Sequence, residues 1–221
     1  MLLAAVLLYG GTAGPAAAQV VRPQELNVQY NRAETAWRSG ASVLEAKARV
    51  DRVLRELPND VEALKLRAQV LMALDRVEEA VVDASLAVQL SPGDGEAHLI
   101  LSEAARLAGN RALAESELDA AAERVLDDAG FHIRLSWNAA LLGQFDKAEA
   151  FARIALALDA QAAPAYYQLA RVFVHKAQPD AAAEILARGL RNAVLDPVAI
   201  RSDSLLGRLA DHQALHDLMP R

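Results

Sequence analysis

The chain has 221 residues, 53% of them hydrophobic and only 5% aromatic, a makeup that fills a core with Ala, Leu and Val from closely approaching helices. Lys and Arg total 23 against 29 Asp and Glu, a formal charge of −6 without a basic run, which excludes the clustered cations that grip a phosphate backbone, so no nucleic-acid partner is expected. The absence of Cys excludes disulfides, thiolate metal sites, catalytic thiols and a lipidated cysteine.

Residues 1–18 open with an apolar run from Leu2 to Leu8, broken by Gly10, Gly11, Gly14 and Pro15 and followed by Ala16, Ala17 and Ala18. The run is shorter than the ~20 apolar residues of a membrane span, and Ala16 and Ala18 form an A-x-A cleavage pattern before Gln19. These features predict a signal peptide over 1–18, although no Lys or Arg precedes the apolar run, and a short linker over 19–26. The expected location is periplasmic or secreted, without stable membrane insertion after cleavage.

From residue 27 onward a period of 34 residues emerges. Ala46, Ala80, Ala114, Ala148 and Ala182 occupy one column without any insertion. Four places later come Val50, Ala84, Leu118, Ala152 and Leu186, and seven places later Val53, Ala87, Ala121, Ala155 and Gly189, so one helical face is small and apolar in every unit. The eighth column holds Glu34, Ala68, Ser102, Ser136 and Ala170; the fourth holds Tyr30, Leu64, His98, His132 and Tyr166. Gly40, Gly109 and Gly143 fall between the two helices of their units, where a left-handed residue ends a helix. Pro58 and Pro92 stop second helices, and Asp60 and Asp94 are placed to cap the helices that follow. The later junctions carry Leu126, Ala160 and Val194 in place of proline.

A 34-residue helix-turn-helix with this pattern of small and large residues resembles the tetratricopeptide repeat. The resemblance covers five units, 27–60, 61–94, 95–128, 129–162 and 163–196, and departs from the family pattern at Glu34, at Arg67 and at the three junctions without proline. It implies an all-α, right-handed solenoid. Beyond it, Leu205, Leu206, Leu209, Leu215 and Leu218 predict one or two capping helices within 197–221, covering the open end of the stack.

Catalytic motifs are missing. The chain contains no phosphate loop, no GxSxG elbow, no HExxH and no CxxC pair, so neither an enzyme nor a bound cofactor is expected. His98 and His132 stand in equivalent positions of neighbouring units, about 10 Å apart, and lack a third ligand. His212 and His216 have the i, i+4 spacing of one helix face, which reads as a surface face. No metal is expected.

The resemblance implies partner binding along the first helix of each unit, through its positions 2, 5, 9, 12 and 13. Those positions give Asn31, Thr35, Arg38, Glu62, Lys65 and Gln69 in the first two units, then Leu99, Glu103 and Arg106, then Ile133, Trp137, Ala140 and Leu141, and finally Tyr167, Arg171, Val174 and His175. Trp137 is either an exposed anchor or packed on the neighbouring unit. Arg134, Arg171 and Arg106 are expected to orient an acidic or polar segment. The family's carboxylate clamp for chaperone tails needs Lys and Asn at set positions and is absent, with Asn31 and Thr35 in the first unit and Ile100 in the third. The expected function is a non-catalytic scaffold for a protein or peptide partner in a bacterial envelope. Self-association into a homo-oligomer, through the groove or the terminal helices, is the alternative.

Overall fold

The computed structural model describes residues 21–124 and 127–219. The predicted signal peptide lies outside the described residues. Among these, eleven α-helices and two short 3-10 turns are found and no strand. Ten helices form consecutive hairpins: α1 (Gln24–Arg38) with α2 (Val43–Glu56), α3 (Val61–Ala73) with α4 (Val77–Leu90), α5 (Gly95–Leu107) with α6 (Arg111–Ala122), α7 (Ala129–Leu141) with α8 (Phe145–Leu158), and α9 (Ala163–His175) with α10 (Pro179–Arg191). Each hairpin packs its first helix against the second helix of the hairpin before it, and successive first helices touch along one side. The result is an α-solenoid.

Side-chain size explains how closely these helices approach. Ala46, Ala80, Ala114, Ala148 and Ala182 are all completely buried, as are Val50, Ala84, Leu118, Ala152 and Leu186 one turn on. In the eighth column, Ser102 and Ser136 donate from their hydroxyls to the carbonyls of Ala114 and Ala148 across the hairpin, the latter at 2.7 Å, so a buried polar atom is satisfied where Ala68 and Ala170 need nothing.

Four helix starts are capped by aspartate side chains. Asp60 accepts from the amide of Ala63, Asp94 from those of Glu96 and Ala97, Asp128 from that of Phe131 and Asp196 from that of Val198. Asp128 therefore marks a helix start at a junction that lacks proline, while Asp196 stands directly before Pro197. Between the helices of a hairpin, Gly109 and Gly143 take φ of 76° and 77°, and Asp75 and Ala177 hold the equivalent left-handed positions at 58° and 56°.

The C-terminal segment is less helical than expected. It contains α11 (Pro197–Ser202), then 3-10 turns at Leu206–Leu209 and Gln213–Leu215. Ile200, Leu206, Leu209, Leu215 and Met219 enter the same buried cluster as Leu169 and Leu186, so the segment covers the last hairpin by inserting apolar side chains. Asp203 interrupts the helix by accepting from the amides of Leu205 and Leu206.

Candidate partner-binding groove

The first helices of the hairpins build a continuous inner face, and a cavity of about 500 Å³ opens on it. Its walls come from α1, α3, α5 and α7: Trp37, Gln69, Met72, Ala73, Glu103, Arg106, Leu107, Arg134, Trp137, Asn138 and Leu141. A second cavity of about 270 Å³ shares Trp37, Gln69 and Arg134 with it and adds Tyr30, Glu34, Glu62, Lys65 and Glu96. Leu107, Trp137 and Leu141 are 48%, 39% and 60% exposed, so the larger cavity offers apolar surface to solvent.

The first hairpin contributes residues other than those expected. Gly40 takes the left-handed turn position at φ 65°, Ser42 caps α2 through the amide of Glu45, and Ala41 stands between them as an extra residue. The insertion slides α1 by one position. Ala33 is therefore completely buried where the 34-residue frame places Glu34, and Tyr30, Glu34 and Trp37 face the groove in place of Asn31, Thr35 and Arg38. Asn31 and Thr35 are exposed and line neither cavity, while Arg38 stays at the rim of the smaller one.

Charge on the inner face is largely paired within the molecule. Lys65 lies buried among Glu62 at 2.8 Å, Asp94 at 2.7 Å and Glu96 at 3.6 Å; burial pulls its pKa down, but the bonds to Asp94 and Glu62 outweigh this and raise it. Arg134 reaches Glu96 at 3.2 Å and Glu103 at 2.8 Å. Arg106 donates to the Asn138 carbonyl oxygen at 2.8 Å, and Arg171 pairs with Asp203. Arg134 and Arg171 are therefore not the unengaged cations expected to orient an acidic segment, since Glu or Asp of a neighbouring element reaches each of them, whereas Arg106 meets a neutral amide and no carboxylate among the described residues.

Other expected groove residues divide between floor, rim and outside. Leu99 is completely buried, in the same apolar cluster as Leu118 and Leu135, and is not available to a partner. Its column is the groove floor, where neighbouring first helices meet: Lys65 is also buried, and Ile133 and Tyr167 are partly so. Burial raises the Tyr167 phenol above its ordinary pKa. Trp137 is exposed along one side, with the Arg171 guanidinium 5.7 Å from its ring centroid. His175 is exposed but stacks on Phe145 of α8 with centroids 5.2 Å apart, away from the cavity walls. Trp37 is not among the groove residues that the 34-residue frame gives; its signal is Glu34, a charged residue in a column of small ones.

Of the remaining histidines, His98 and His132 are buried, His212 caps a turn and His216 is exposed. His98 bonds through Nδ1 to Glu117 at 2.6 Å and through Nε2 to the Pro92 carbonyl at 3.0 Å. His132 is buried beside Phe131, with rings 5.8 Å apart. His212 caps the second 3-10 turn by accepting from the Ala214 amide and meets Asp180 at 2.9 Å, whereas His216 contacts Asp217. The expected shared helix face for His212 and His216 does not form, because the segment turns at Gln213–Leu215.

Among solved structures the chain is similar to several tetratricopeptide proteins. TTC0263, a thermophilic protein of this type from Thermus thermophilus, is 27% identical, with 77% of this chain and 93% of that one covered and a TM-score of 0.64. The fold is of the tetratricopeptide type. PilW, a type IV pilus biogenesis factor, shares it at 21% identity, with 89% of this chain and 91% of that one covered and a TM-score of 0.70. YrrB, described as having an unusual peptide-binding site, does so at 19% identity, 82% and 89% coverage and a TM-score of 0.55. No family model and no curated protein matches the chain. No helix of the described residues is long and apolar enough to cross a membrane.

Proposed function

We propose that this protein is a non-catalytic scaffold that holds a peptide or helix of a protein partner on its inner face, in a bacterial cell envelope. The observation that carries the proposal is the cavity of about 500 Å³ with Trp37 and Trp137 in its walls and Leu107 and Leu141 at its rim. Half-exposed aromatic side chains in a concave, apolar surface are the usual anchors of protein interfaces. The envelope setting is supported by the signal-like 1–18 segment and by the likeness to a pilus biogenesis factor.

Crosslinking in the native envelope fraction tests this, with the unchanged protein compared against a Trp37→Ala, Trp137→Ala double variant of unaltered helix content. Loss of a specific crosslinked partner in the variant is the expected result. Recovery of the same partners by both proteins would move the contact away from the groove, and a crosslinked second copy of this chain would favour the self-associating alternative.

A further inference from the structure

Charges lining the two cavities balance, Glu34, Glu62, Glu96 and Glu103 against Arg38, Lys65, Arg106 and Arg134, so no net field steers a charged ligand and selection falls to direct contacts. The pairs are nevertheless unevenly made. Glu34 is held by Arg38, Glu62 by Lys65, and both Glu96 and Glu103 by Arg134. Arg106 is left over: its Nε donates to Asn138, and its two Nη groups meet no acceptor among the described residues. This posture is imposed from behind. The Ser102 hydroxyl gives its proton to the Ala114 carbonyl and so accepts from Asn138; the Asn138 amide nitrogen therefore faces Ser102, and its carbonyl oxygen faces Arg106. With Nε tied down, the guanidinium offers its two Nη groups as a fork, a geometry that a carboxylate meets with paired bonds.

Other polar groups of the larger cavity are committed. Both oxygens of Glu103 accept from Arg134, and Asn138 is engaged at both ends, which leaves Gln69 as the side-chain acceptor without a bond among the described residues. The rest of the wall is Trp37, Met72, Ala73, Leu107, Trp137 and Leu141. An extended segment brings an unpaired amide and carbonyl at every residue, and such a wall answers few of the amides. A helix brings its backbone bonds already made. It also sets apolar side chains three or four residues apart on one face, with room for an acidic residue one turn away on the same side.

We infer that the groove takes an amphipathic helix of its partner, with apolar residues in the tryptophan-lined cavity and a Glu or Asp side chain bonded to the Arg106 fork. This deepens the reading of the groove as the partner site and rests on it.

Both tryptophans of the chain, Trp37 and Trp137, line the larger cavity, so intrinsic emission reports on it. Three alanine-rich peptides, acetylated and amidated so that no terminal charge competes, are titrated into the full chain: a helix with a leucine stripe and one Glu beside it, the same helix with Gln in place of that Glu, and the Glu helix broken by a central Pro. The Glu helix is expected to bind about tenfold tighter than the Gln helix, and about tenfold or more tighter than the Pro-broken peptide. In Arg106→Gln the preference for Glu over Gln should vanish while the Gln helix binds as before. Equal binding of the Glu and Gln helices, equal binding of the Pro-broken peptide, or a Glu preference that survives in Arg106→Gln overturns the inference and leaves the groove as the site. The comparison of peptides on the unchanged chain decides the matter even where Arg106→Gln fails to fold. If none of the three peptides changes the emission, the groove assignment itself fails, and the inference with it.

Discussion

Asn138 donates from Nδ2 to the Ser102 hydroxyl at 2.7 Å, while its carbonyl oxygen takes a bond from Arg106. Asn138 and Ser102 are both buried, and they tie the third hairpin to the fourth at the cavity wall. Asn138→Ala would remove both bonds and leave Arg106 without its acceptor. The expected loss is about 1–3 kcal/mol of unfolding free energy, measured by urea denaturation. A variant as stable as the original would show that this link does not hold the hairpins together.

Leu99 and Trp137 both occupy groove positions in the tetratricopeptide pattern, and the structure separates them by burial. Leu99→Ala opens a hole in a closed core and should cost about 2–5 kcal/mol. Trp137→Ala removes a side chain that is 39% exposed and should cost less than Leu99→Ala, while abolishing partner crosslinking. Thermal melting of the two variants side by side decides this, and equal losses would contradict the assignment of Trp137 to the binding surface.

Ala177 is held in a left-handed conformation that Gly109 and Gly143 adopt freely in the preceding hairpins. Relief of about 1–2 kcal/mol of steric strain, less the extra chain entropy of glycine, predicts that Ala177→Gly raises stability by up to about 1 kcal/mol. Denaturant midpoints measure it. A lowered midpoint would mean that the Ala177 methyl makes a contact worth more than the strain.

Acid sensitivity should concentrate at the C-terminal segment. Burial alone would raise Asp203, but the amides of Leu206 and Leu205 and the charge of Arg171 hold its carboxyl below the ordinary value. A lowered folded-state pKa gives stability that is present above the unfolded value of about 4 and is lost as pH falls through the lower folded value. The melting temperature should therefore hold steady from neutral pH to about 5 and drop below about 4, with a shallower drop in Asp203→Asn. An identical acid limb in the variant would place the sensitivity elsewhere, with Glu149, lowered chiefly by its bond to Lys176, as the next group to replace.

The stacking pattern was legible because it depends on residue size: a buried alanine cannot be replaced by a long side chain without separating two helices. The groove was harder to read for two reasons. One inserted residue, Ala41, slid α1 enough to bring Trp37 onto the inner face and leave Arg38 at its rim, and a fixed period cannot show a one-residue slip in its first unit except as a misfit such as Glu34. Pairing partners were invisible as well, since Arg134 and Arg171 meet residues about one period away and read as unengaged until Glu103 and Asp203 are placed beside them. The C-terminal segment misled through its leucines, whose spacing suits a helix until the Asp203 side chain takes the amides of the next turn.

Trp37 comes from the first hairpin and Trp137 from the fourth, so the gap between them sums the tilt of every junction in between. A solenoid layered on alanine has thin, stiff layers, and a change of a few degrees at one layer swings the far end like a lever arm. The width of the groove is thereby a property of the first four hairpins together. Thickening one alanine at those junctions by a single methyl group would change that gap without altering any residue that lines it.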